Sequence, residues 1–146
     1  MMEKFDFLLG NWNLEYRIPK SGYSKAGTGT GLGTFKRILN DKFVVFDYST
    51  TVSIGDKSPE KGKAHAIFAW DDNMKIYRFW WFESSGSFMK ATCRFIDKDI
   101  LFLNWHDSVL IQSFSRIGPD KVILKMEQPV SEKKYELILE VIFTRK

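Results

Sequence analysis

Few side chains in this sequence are of types that carry acid–base, metal or nucleophilic chemistry, and their spacing decides what they can do. Its two histidines are His65 and His106. Neither stands in a His-Glu-x-x-His arrangement and no carboxylate cluster accompanies them, so no metal site is expected. The single cysteine, Cys93, excludes an internal disulfide and any cysteine-based zinc site. No Gly-x-Ser-x-Gly elbow presents a serine nucleophile. Gly27, Gly29, Gly31 and Gly33 recur at every second position, whereas a phosphate loop needs a different spacing, a following helix and a Lys-Ser/Thr pair. Period-two glycine instead strips one face of a strand, which permits sharp bending or close packing. What remains is His65, whose imidazole could move a proton, and Arg78, whose guanidinium suits a carboxylate. A histidine in such a setting equally well satisfies core hydrogen bonds.

These residues must be positioned by strands. The stretch Tyr77-Arg78-Phe79-Trp80-Trp81-Phe82 holds five aromatics in six residues, and aromatics pack well on a pleated surface. About ten such runs follow one another, beginning with the alternating Trp12, Leu14, Tyr16 and Ile18. Most are separated by short turns rich in Gly, Asp, Asn and Ser, such as Asp71-Asp72-Asn73 and Ser84-Ser85-Gly86. Only Glu3 to Leu9 suggests a turn or two of helix. Short turns imply antiparallel neighbours, and a meander of this length is most comfortable closed, because closure removes exposed edges. The expected fold is an all-β antiparallel up-and-down barrel of about ten strands, one domain over residues 1–146, with a sandwich as the alternative. Ten strands leave an interior wider than side chains alone readily fill.

Composition narrows the class further. The chain has 146 residues, 16% of them aromatic, and a net charge of +4 from basic and acidic residues spread along its length. That pattern reads as a solvated surface and not as a nucleic-acid patch. No run of about 18 apolar residues and no signal-like leader is present, so a cytoplasmic, reducing setting is expected.

Hairpin registers predict which face lies inside. Two-residue loops at Asp72-Asn73 and Ser85-Gly86 would place His65, Arg78, Trp80, Phe82, Met89 and Phe95 on one face, and Phe68, Tyr77, Phe79 and Trp81 on the other. The first face is the more apolar and is assigned to the interior. There Trp80, Phe82, Met89 and Phe95, with Tyr48 from a neighbouring strand, would wall a cavity. Arg78, helped by His65, would hold an anionic head group. Phe68, Tyr77, Phe79 and Trp81 would then form an outward patch for a homodimer. A one-residue slip in either hairpin inverts the assignment.

The opening Phe7-Leu8-Leu9-Gly10-Asn11-Trp12 resembles the Gly-x-Trp start of the calycin superfamily, which includes lipocalins and fatty-acid-binding proteins. The Gly-rich second strand, Trp70-Asp71 with Lys75-Ile76-Tyr77, and Glu83-Ser84-Ser85-Gly86 also resemble small bacterial lipocalin-like proteins grouped as an uncharacterised family (DUF1579). The resemblance implies that Trp12 closes one end of the barrel and packs against an arginine near the last strand, here Arg145, both in structural roles. It also raises a haem reading, since one branch of these barrels binds haem through a histidine near the C-terminus. The last strand here has none, so a haem ligand would have to be His65 or His106.

The expected function is therefore non-enzymatic binding of a small hydrophobic or amphipathic ligand, with no cofactor. Three alternatives stand beside it: an isomerase- or cyclase-type barrel enzyme using His65, a haem-binding barrel, and a filled barrel serving as a dimerisation module.

Overall fold

The computed structural model describes residues 1–146. A 3₁₀ helix, Met2–Leu8, precedes ten strands: β1 (Gly10–Ile18), β2 (Gly27–Ile38), β3 (Phe43–Ile54), β4 (Glu60–Asp71), β5 (Ile76–Glu83), β6 (Phe88–Asp97), β7 (Ile100–Trp105), β8 (Ile111–Gly118), β9 (Lys121–Ser131) and β10 (Lys134–Arg145). Each strand pairs antiparallel with the next, and β1 also pairs with β10. The result is the closed up-and-down barrel that the alternation and turns predict. Closure satisfies the backbone donors and acceptors of both outer strands and leaves no free edge. No helix is long and apolar enough to cross a membrane.

Pro129 lies within β9, opposite Tyr135 and next to a register shift. Proline lacks the N–H that a regular ladder requires, so an irregularity is where a strand tolerates it. At the other end of the hairpin series, Val109 and Leu110 fall outside β8, which starts at Ile111.

One end of the barrel is filled. The N-terminal helix covers it, burying Phe5 and Leu8 completely. The Phe5 ring meets Phe68, Tyr77 and Phe95 at centroid distances of 4.9, 5.2 and 5.0 Å. Tyr77 donates its hydroxyl hydrogen to the Met1 carbonyl at 2.6 Å, and the Trp12 indole N–H donates to the Leu8 carbonyl at 2.7 Å. These bonds fix the helix over the aromatic core rather than leaving it to its own weak propensity.

The glycine row lies on the inner face of β2. Gly29 stands opposite Tyr16 of β1, and Gly33 opposite Trp12. The Phe46 ring occupies the space where a Gly33 side chain would be, its Cε1 only 2.5 Å from that position. Phe46 in turn stacks on Phe35 at 4.0 Å and on Tyr48 at 4.5 Å. The bare face is thus filled by aromatics from neighbouring strands, a packing role and not a phosphate cradle.

Candidate functional site

The inner row of β4 explains why the other end is hollow. It runs Trp70, Phe68, Ala66, Ala64, Gly62, bulky toward the helix-covered end and nearly bare toward the far end. With so little volume projecting inward there, a cavity of about 380 Å³ remains. Nineteen of its 24 lining residues are hydrophobic, so its wall is largely apolar. Tyr16, Phe46 and Tyr48 come from the β1–β3 side, Phe79, Trp81 and Met89 from β5 and β6, and Trp105, Gln112 and Phe114 from β7 and β8.

Polar groups on this wall are few, and the buried ones are neutral. The Tyr48 hydroxyl oxygen accepts the Trp81 indole N–H at 2.7 Å. Burial pushes the Tyr48 phenol up to about 12, and burial raises the Tyr16 phenol further still, so both stay protonated. Gln112 is 6% exposed. The only charged lining residues are Lys63 and Glu83, both exposed at the rim.

The structure reverses the facing expected for β4 and β5. His65, Arg78, Trp80 and Phe82 point to the outside of the barrel, whereas Phe68, Tyr77, Phe79 and Trp81 point in. Phe68, Tyr77 and Phe79 are 0%, 4% and 3% exposed, so the outward dimer patch expected of them does not exist. The cause is one residue in the β5–β6 turn. Phe82 pairs with Phe88, and Glu83 closes the turn with Ser87 around Ser84-Ser85-Gly86, three residues instead of two. An odd shift transfers the inward row of β6, Met89 and Phe95 included, from the partners Arg78 and Trp80 to Phe79 and Trp81. The β4–β5 pairing is shifted as well, but by an even step that preserves which residues share a face.

Each displaced residue finds other work. Arg78 donates from Nε to the Asp71 carboxylate at 2.7 Å on the outer wall. His65 Nδ1 hydrogen-bonds the Asp47 carboxylate, also outside. His106 is exposed in the turn after β7, so neither histidine lines the cavity. That removes the residue on which the proton-transfer reading relied and leaves no imidazole where a haem iron would sit. Met89 and Tyr48 line the cavity; Phe95 lies at the filled end, against Phe5 and Phe7. Arg145 lies with its guanidinium carbon 4.2 Å from the Trp12 ring centroid. It also donates to the carbonyls of Phe7 and Leu9 and pairs with Asp120 at 3.2 Å.

Sequence reasoning missed most of the wall: Tyr16, Phe46, Ala64, Trp105, Gln112 and Phe114. A usable signal was present in Gly62-x-Ala64-x-Ala66, a period-two row of small residues that empties one face just as the glycine row does.

No protein-family model and no curated protein matches the chain. Among solved structures it is similar to Rv2717c from M. tuberculosis, with a TM-score of 0.65 at 12% identity over 99% of this chain and 96% of that one. It is similarly close to the S-type phycobiliprotein lyase CPES from Guillardia theta, with a TM-score of 0.65 at 10% identity over 99% of this chain and 91% of that one. The redesigned β-barrel mFAP0, bound to DFHBI, gives 0.51 at 10% identity over 95% and 99%. Identities this low speak to fold alone. What this chain shares with them is the fold, a closed antiparallel β-barrel.

Proposed function

We propose that the protein binds a small hydrophobic molecule, without chemical change, in the open half of its barrel. The observation that carries this reading is the cavity of about 380 Å³, mostly apolar and within the usual size range of small-molecule sites, about 300–1,000 Å³. Two neighbours add support: one is a phycobiliprotein lyase and another is a barrel bound to DFHBI. The narrower kinship with the bacterial lipocalin-like family rests on the sequence motifs named above.

Arg78 does not clamp an anionic head group, because it lies on the outer wall and is paired with Asp71. Titration with 2-ethylnaphthalene followed by calorimetry tests the cavity directly. Saturable one-to-one binding is expected, and Ala64→Phe, which fills the bare row of β4, should abolish it while the protein stays folded. Binding that persists unchanged in this variant would sink the proposal. Native mass spectrometry of freshly purified protein is expected to show a retained adduct of a few hundred daltons that denaturation removes.

Self-association, expected from the sequence at Tyr77, Phe79 and Trp81, passes on this placement to the outer wall. There Phe82 and Phe88 are 45% and 75% exposed beside Trp80. Patches of this kind often mark protein contacts. Sedimentation at micromolar concentration should show a dimer that Phe88→Ser disrupts; a monomer throughout would remove this part.

A further inference from the structure

Gln112 is the one polar residue among the buried side chains of the protein, at 6% exposure. Its cross-strand partners on β7 and β9, Leu103 and Met126, offer its amide nothing to bond. Buried polar groups are normally satisfied, so an amide left alone needs an explanation. It is not sealed in the wall, since the sealed and unpartnered side-chain atoms of the protein are Arg37 Nε and Trp105 Nε1. In a residue so deeply buried, the surface left to the amide faces the cavity that Gln112 lines.

A second group points the same way. The Tyr48 oxygen already accepts a hydrogen from Trp81, which leaves its own O–H free to donate to whatever fills the cavity. Donors of this kind, neutral and without a cation among them, suit a neutral acceptor. A carboxylate placed here would lose its hydration and meet no buried positive charge, because Lys63, the only cationic residue of the lining, is exposed.

We infer that the cavity selects an uncharged aromatic molecule bearing one carbonyl group, which accepts a hydrogen bond from the Gln112 amide, and that it rejects the matching carboxylate. This rests on the cavity being a ligand site, as proposed above.

Three probes of nearly equal shape separate the possibilities: 2-acetylnaphthalene, 2-ethylnaphthalene and 2-naphthoate, each titrated calorimetrically at pH 7 and followed by the ¹⁵N side-chain amide resonances of the protein. The acetyl compound is expected to bind about five- to tenfold more tightly than the ethyl compound, the size of one buried neutral hydrogen bond. Naphthoate should bind more weakly than either. Only the acetyl compound should move the Gln112 amide resonance, and Gln112→Leu should erase the preference for acetyl over ethyl. Equal binding of acetyl and ethyl compounds with an unmoved Gln112 resonance would overturn the head-group assignment and leave the cavity proposal standing. Tightest binding by naphthoate would overturn it too. Failure of all three to bind would overturn both. Should Gln112→Leu not fold, the wild-type preference and resonance decide the matter alone.

Discussion

Arg78 reaches along the outer wall to Asp71, whose carboxylate also accepts the backbone N–H groups of Asn73 and Met74 at 3.1 Å each. The Arg78 hydrogen bond is the main cause holding the Asp71 carboxyl below its ordinary range, helped by the Met74 N–H. A carboxyl depressed in the folded state contributes stability above its unfolded pKa, about 4, and loses it as pH falls through the folded value. Urea midpoints of wild type and Asp71→Asn should therefore differ at pH 7 and converge toward pH 3. Cys93 behaves oppositely: burial on the inner face of β6 pushes its thiol well up. It should resist thiol reagents at pH 8 in the folded protein and react fully in denaturant; rapid modification of native protein would contradict its placement. At this scale the sequence was partly legible. That an arginine in so aromatic a strand needs a carboxylate, water or ligand beside it followed from charge alone, but that the partner is Asp71, seven residues back across a turn, depended on which face Arg78 took.

Among the elements, strand number, order and approximate limits could be read because alternation and turn residues act locally. Facing could not. In Tyr77–Phe82 both faces are apolar, so hydrophobic pattern does not choose between them, and the choice passes to the length of one serine-rich turn. The glycine row of β2 makes a sharper prediction. A Cβ at Gly29 would stand 2.7 Å from both the Thr51 carbonyl oxygen and Val52 Cγ2, whereas one at Gly62 would meet only Thr50 Oγ1, at 3.4 Å. Gly29→Ala should cost about 1–3 kcal/mol in urea unfolding, the usual range for overpacking. Gly62→Ala should be close to neutral. Similar costs for the two would mean that β2 is not tightly crossed by β3. The hollow was hidden for a related reason: a cavity is written in residues that are small, and small residues carry no chemical flag.

Over the whole molecule, the filled and hollow halves divide the work of stability and binding. The clasp formed by Arg145 with the Trp12 ring and the carbonyls of Phe7 and Leu9 belongs to the filled half. Arg145→Ala should destabilise by about 2–3 kcal/mol, combining a cation–π contact with charge-assisted hydrogen bonds, and leave the affinity for 2-ethylnaphthalene unchanged. Arg145→Lys should recover little of this, since an ammonium does not reproduce the planar guanidinium. Closure itself has a temporal side. Because β1 hydrogen-bonds to β10 as well as to β2, its outer edge has no partner until nearly all of the residues described have been made. On the ribosome the growing sheet therefore carries two sticky margins through most of translation, and slow synthesis or a scarcity of chaperones should lower the yield of this protein more than that of a helical one of equal length.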